Sequence, residues 1–284
     1  MERPVVVGVD GSESGLEAVD WAADEAVLRG VPLRVLHASL WQRFEHCESP
    51  SPQADSGQSP ERILAERILA AAQQRAARRQ PDAHVTAEIQ GSDPVEMLLR
   101  AGESAAMVVT GARGREPVRE MLLGSVALGT AGRATCPTVV VRGGVRTFGG
   151  SGTVVLGVSA RSQGTAAVSF AVEEAEARGW DLECVHALGR REGSDPEGVT
   201  ARARAGESLD ALALPVPARV NVRTAVLEGT PWHVLLDVAR DAGLLVVGAR
   251  RRQGIFGLEL GLANHAALMR APCPVAVVPE PMTA

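Results

Sequence analysis

The sequence predicts an α/β protein of two tandem homologous domains, each an open, mostly parallel five-stranded sheet with helices on both faces. Three observations predict it. Residues 5–38, VVVGVDGSESGLEAVDWAADEAVLRGVPLRVLHA, align without gaps on residues 154–187, VVLGVSARSQGTAAVSFAVEEAEARGWDLECVHA, so that Val5, Val6, Gly8, Val9, Gly15, Ala18, Val19, Ala22, Glu25, Ala26, Arg29, Gly30, Leu33, His37 and Ala38 all recur. The ends repeat as well: ATCPTVVV (134–141) lies over APCPVAVV (271–278). Within each half, short continuous apolar runs alternate with segments of helical periodicity, the pattern of a parallel sheet with crossover helices. Units of this size are domains rather than solenoid repeats. Residues 1–143 form the first, 144–152 the linker and 153–284 the second; RGGVRTFGGSG (142–152) carries five glycines, as a flexible joint does.

The first half reads in order as follows. PVVVGVD is a buried parallel strand. Ser12 or Ser14 caps the next helix, whose apolar positions Leu16, Val19, Ala22, Ala23, Ala26 and Val27 keep helical spacing until Gly30 ends it. LRVLHAS is the second strand. Residues 41–60, rich in proline and serine, form a polar loop. ERILAERILAAAQQRAARR is a helix, HVTAEIQ a strand, SDPVEMLLRAGES a helix, AMVVTG a strand, GSVALGTAGRA a helix and PTVVVRG the last strand. The second half repeats the order.

Composition removes several function classes. The net charge of −5 gives no basic face for nucleic acid. No apolar stretch approaches the length of about 18 residues that a membrane span needs, and the N-terminus has no signal-peptide pattern. Cys47, Cys136, Cys184 and Cys273 form no C-x-x-C pair and read as reduced thiols of a cytoplasmic protein. His46, His84, His233 and His265 show no metal-ligand spacing. All 29 basic residues are arginine. Without lysine there is no Walker A loop, no pyridoxal Schiff base and no kinase strand lysine.

Ligands of open parallel sheets sit beyond the carboxyl ends of the strands. Two loops of the first half lie there: VDGS, and TGARGR leading to GSVALG. Asp10 can accept hydrogen bonds from a ligand. Gly111 and Gly114 let backbone approach a ribose or phosphate. Gly124 and Ser125 open a helix whose free N–H groups attract an anion. Arg113 and Arg115 flank Gly114 and are placed to touch phosphates. His37 and His186 recur at one strand end, either beside the pocket or held by a local hydrogen bond. No catalytic constellation accompanies these residues.

Gly111, Gly114, Gly124 and Ser125 fit the pattern of glycine, two residues, glycine, nine residues, glycine, then serine or threonine. With Asp10 ending the first strand, the chain resembles the universal stress proteins over nearly its whole length. The resemblance implies a Rossmann-like fold of the adenine nucleotide alpha hydrolase type and ATP binding, with Mg²⁺ accompanying the phosphates. It implies that Asp10 meets the adenine and Ala38 lines its pocket. Thr110, Gly111 and Gly114 would hold ribose and phosphate, and Gly124, Ser125 and Val126 the phosphate tail. It also implies an internal pseudo-dimer in which TVVV pairs with VAVV, with further homo-oligomers open.

The second half departs from the pattern: Ser159 replaces Asp10, Arg251 replaces the second glycine and Leu262 the serine, while Gly248 and Gly261 are kept. Arginine obstructs a close backbone approach, although a guanidinium can itself bind phosphate. The expectation is an ATP-binding stress sensor or regulator, not an enzyme, with the nucleotide in the first domain and the second as structural partner. The alternatives are a nucleotide-independent protein-interaction module, contacting partners through residues 41–60 and 250–254, and a slow ATPase.

Overall fold

The computed structural model describes residues 3–39, 59–114, 123–142, 152–159, 166–189, 217–251 and 258–280. Most of the loop at 41–60, most of the linker, Cys47, Arg115 and residues 252–254 lie outside the described residues. The first repeat supplies β1 (Val5–Gly8), α1 (Glu13–Arg29), β2 (Leu33–Ala38), α2 (Pro60–Arg79), β3 (Val85–Gln90), α3 (Pro94–Gly102), β4 (Met107–Gly111), α4 (Ser125–Ala131) and β5 (Thr138–Val141). The second supplies β6 (Thr153–Val158), α5 (Ala166–Arg178), β7 (Asp181–Leu188), β8 (Val222–Glu228), α6 (Pro231–Val238), β9 (Leu244–Arg251), β10 (Leu258–Glu259), α7 (Leu262–Arg270) and β11 (Val275–Glu280).

The chain divides into two compact units, Met1–Thr130 with Ala134–Cys136, and Ala131–Arg133 with Pro137–Ala284. In the first, the strands run β3-β2-β1-β4 and every pair is parallel. In the second, the order is β5-β11-β9-β6-β7-β8, parallel except that β5 runs antiparallel to β11, with β10 an antiparallel appendage of β9. Strand β5 thus belongs to the first repeat by sequence and to the second unit by contact, with Val140 opposite Val275.

Burial explains the apolar runs. Val5, Val6 and Val7 are all fully buried, as they must be on a strand covered on both faces. On one face, Val6, Leu36 and Val108 pack with Met97, Leu98 and Ala101 of α3 and with Cys136. Gly8 has no room for a side chain there: a Cβ would lie 3.0 Å from Leu98. The second repeat keeps the same device, with Gly157 3.0 Å from Leu235 of α6. Helix α1 is capped by Ser12, whose Oγ accepts from the Gly15 N–H (3.1 Å), and ends at Gly30, where φ is 66° and glycine is at ease. Buried Glu25 and Glu174 each pair with the arginine one turn on, Arg29 and Arg178, so this ion pair is also part of the repeat. Helix α2 is stitched to α1 by the Arg75–Asp20 and Arg79–Asp24 pairs.

Candidate functional site

A cavity of about 490 Å³ opens at the carboxyl ends of the first unit's strands, within the size range of small-molecule sites. Asp10, Ala38, Thr110, Gly111, Arg113, Gly114, Gly124, Ser125 and Val126 all line it. Residues far apart in sequence are brought together because β1, β2 and β4 are neighbours and end at one level, with Gly8 beside both Leu36 and Thr110. Pro94, Met97, Leu98 and Leu123 add an apolar wall. The sequence does not mark these four, because apolar spacing alone does not show which residues reach the cavity.

The polar groups are placed by local structure. Asp10 Oδ1 accepts from the Ser12 N–H (3.0 Å) and the Ser12 hydroxyl (2.6 Å), which fixes the carboxylate at the mouth of the loop. The Ser14 hydroxyl takes the Arg113 N–H (3.3 Å), tying the β4 loop to the first turn of α1. A Cβ on Gly114 would stand 3.0 Å from Asp10 Oδ2. Thr110 is 3% exposed and its Oγ1 has no hydrogen-bond partner among the described residues. His37 Nδ1 lies 2.8 Å from the Val9 carbonyl, to which it donates.

Two expectations change in detail. Gly111 was expected to make room for ligand, but a Cβ there would run into the Ser14 backbone, so glycine is required first by the packing of β4 against α1. Gly124 was expected to offer a free N–H. That group donates to the Ala112 carbonyl (2.8 Å), and the Gly124 carbonyl accepts from Leu128 (3.0 Å), which makes Gly124 the residue preceding the helix. The donors facing outward at this end are those of the first turn, Ser125 to Ala127.

The corresponding region of the second unit is crossed by its own side chains. Glu280, at the end of β11, accepts from the Ala166 N–H (3.0 Å) and the Ala167 N–H (3.4 Å) at the start of α5. Its Oε1 would be 2.8 Å from a Cβ on Gly248. Asn264 of α7 donates to the Gly248 carbonyl (2.8 Å). Ser159 is exposed, and Leu262 is 87% exposed where Ser125 stands in the first repeat. Arg251 lies at the end of β9, paired with Leu258. Among the described residues no group of three or more His, Cys, Asp or Glu side chains is placed to hold a metal ion, and no helix is long and apolar enough to cross a membrane.

Fold and site together define a tandem α/β protein, with Rossmann-like units and a ligand-sized cavity in the first. The sequence model of the universal stress protein family matches residues 1–142 and again 151–279, so the chain belongs to that family. A universal stress protein of Mycobacterium tuberculosis is 31% identical over 290 residues, covering 97% of both chains. One of Mycolicibacterium smegmatis is 31% identical over 293 residues, covering 98% of this chain and 97% of its own. Among solved structures, a universal stress protein from Archaeoglobus fulgidus superposes with a TM-score of 0.65 at 19% identity, over 97% of this chain and 98% of its own.

Proposed function

We propose that the first unit binds an adenine nucleotide, ATP by the family pattern, and that the chain is a nucleotide-responsive stress sensor or regulator rather than an enzyme. The observation that carries this reading is the peptide of Ala38. Along β2, Leu33 and Ser39 send their N–H groups to β3, so alternate residues, Leu36 and Ala38, face β1. The Leu36 carbonyl takes the Val9 N–H (2.9 Å), the last such bond of this strand pair. Among the described residues the Ala38 N–H and C=O make no hydrogen bond, and they face the cavity as a donor beside an acceptor. An adenine edge offers the complement, a ring nitrogen that accepts beside an amino group that donates. The apolar wall of Met97, Leu98 and Val126 suits the faces of a base.

The remaining groups are assigned by their positions. Thr110, buried and without a hydrogen-bond partner among the described residues, gains one from a ribose hydroxyl, which removes the cost of an unsatisfied polar group. Asp10 accepts from a ribose hydroxyl or the base. Arg113, the Gly114 backbone, the Ser125 hydroxyl and the first-turn N–H groups through Val126 receive phosphates. Asp10 is the one carboxylate among the described lining residues, so Mg²⁺ would be carried mainly by the phosphates. Asp10 and His37 are both tied to neighbouring backbone, which favours binding over turnover.

In the second unit Glu280 places negative charge next to Gly248, which disfavours phosphate, and we read this unit as the structural partner. The antiparallel pairing of Thr138–Val141 with β11 supports an internal pseudo-dimer. The buried cysteines Cys136, Cys184 and Cys273, none of them in a disulfide, suit the cytoplasm.

The test is to denature the purified protein, identify released nucleotide by mass spectrometry and titrate the stripped chain with ATP by calorimetry. One site per chain supports the reading. Two would overturn the role given to the second unit. None, in folded protein, would leave a nucleotide-independent interaction module.

A further inference from the structure

The two repeats use the same carbonyl differently. In the second, β6 extends through Val158, which pairs with His186 in parallel register. That register is closed by the Ala187 N–H on the Val158 carbonyl. In the first repeat, β1 stops at Gly8, one residue short of the equivalent position. Here the carbonyl of Val9, the counterpart of Val158, accepts from His37 Nδ1 (2.8 Å). The Ala38 N–H, the counterpart of the one on Ala187, does not reach it. The residues at these three positions are equivalent in the repeat (Val9 and Val158, His37 and His186, Ala38 and Ala187), so the second repeat serves as an internal control for the first.

We infer that His37 is a positioning residue for the ligand: by occupying the Val9 carbonyl it ends the β1–β2 ladder one bond early and keeps the Ala38 N–H for a purine base. The inference rests on the adenine-nucleotide reading above. Nothing in it requires His37 to touch the nucleotide or to change its charge, since Nδ1 carries a hydrogen in one neutral tautomer and in the cation alike. The energetic argument is local. A peptide N–H inside a partly buried site needs an acceptor. In the second repeat the strand supplies it. In the first, the ligand does, and the hydrogen bond is worth more to binding because no intramolecular bond has to break first.

The experiment has two readouts. The first is hydrogen exchange of the Ala38 amide by NMR in the unliganded wild-type protein, where it is expected to exchange at least tenfold faster than the Leu36 amide and to slow at least tenfold on saturation with AMP. An Ala38 amide already protected without nucleotide would overturn the inference, with no variant needed. The second is AMP affinity of His37→Leu and His37→Asn. Leucine cannot donate, so the ladder bond to Val9 forms, the Ala38 amide becomes protected and affinity falls about tenfold. Asparagine places its Nδ2 close to where Nδ1 lies, and it restores both fast exchange and affinity. Equal loss in both variants, or none in His37→Leu, would assign His37 a packing role only. Failure of the wild type to bind AMP or ATP at all would instead sink the reading of the site, and this inference with it.

Discussion

A side chain added at Gly114 would begin 3.0 Å from the Asp10 carboxylate. Gly114 is not among the glycines with positive φ, so space, not backbone strain, restricts the position. Arginine here is expected to fold its guanidinium onto Asp10, fill the mouth of the cavity and consume a ligand acceptor. Gly114→Arg should weaken ATP binding at least 100-fold in calorimetry while leaving the unfolding free energy within about 0.5 kcal/mol of wild type. Asp10→Ala should weaken binding about tenfold or more, because a hydrogen bond to a charged group is worth ~1.5–3 kcal/mol. Unchanged affinity in Gly114→Arg would move the site elsewhere.

Glu280 performs for α5 what Ser12 performs for α1, but from a strand more than a hundred residues away in sequence. Its charge also complements the helix N-terminus. Glu280→Ala should cost the fold ~1–2 kcal/mol in urea unfolding, the usual range for a lost N-cap. Glu280→Gln keeps an acceptor and should cost less than half as much. Equal losses in both would mean that charge, not the hydrogen bonds, holds this end of α5.

These contrasts show what the sequence could and could not display. The strand and helix runs were legible because burial on both faces leaves continuous apolar strands and because the amphipathic period is local. Ser12 and Ser14 were equally good caps on the page. The structure separates them, since Ser14 turns to the Arg113 N–H, a partner on a loop that only the sheet order brings close. The nine site residues could be named from the glycine motif together with the family resemblance, but the reason for Gly111 could not, because it depends on how near α1 passes to β4. His37 and His186 look identical in sequence. Only the length of the β1 and β6 ladders tells them apart.

The α1–α2 stitches give a stability prediction with an internal control. Asp24 is buried and receives the Arg79 guanidinium on both oxygens (2.7 and 2.9 Å) together with the Gln80 amide (2.6 Å). The hydrogen bond to Asp24, followed by the opposing cost of burial and then charge attraction, raises the Arg79 pKa above its ordinary value. Arg79→Ala leaves the carboxylate buried with the amide alone and should cost ~2–3 kcal/mol, discounted for the part of Arg79 that faces solvent. The exposed Arg62–Glu66 pair on the same helix (2.9 Å) is screened by water, and Arg62→Ala should cost less than ~0.5 kcal/mol. Similar losses in the two variants, measured by urea unfolding, would show that burial does not set the worth of the Arg79 pair.

The alkaline limb of stability should belong to the thiols. The chain has no tyrosine and no lysine, so its four cysteines are the only side chains with ordinary pKa values between histidine and arginine. Burial pushes the Cys136 and Cys184 thiols up to about 11. An unfolded thiol ionises near 8.5, whereas these stay protonated in the fold. Below about pH 8.5 both states hold the proton and there is no effect. From there to about 11 the unfolded state holds fewer protons, so stability falls as pH rises, by ~1.4 kcal/mol per pH unit for each thiol. Urea midpoints measured from pH 8 to 11 should therefore decline, and the slope should flatten in Cys136→Ala and again in the double variant with Cys184→Ala. The variants start lower, because removing buried sulfur leaves a small cavity, but the pH dependence is the quantity that decides. An unaltered slope in the double variant would assign the alkaline loss to the remaining thiols, Cys273 and Cys47, to the arginines or to the backbone.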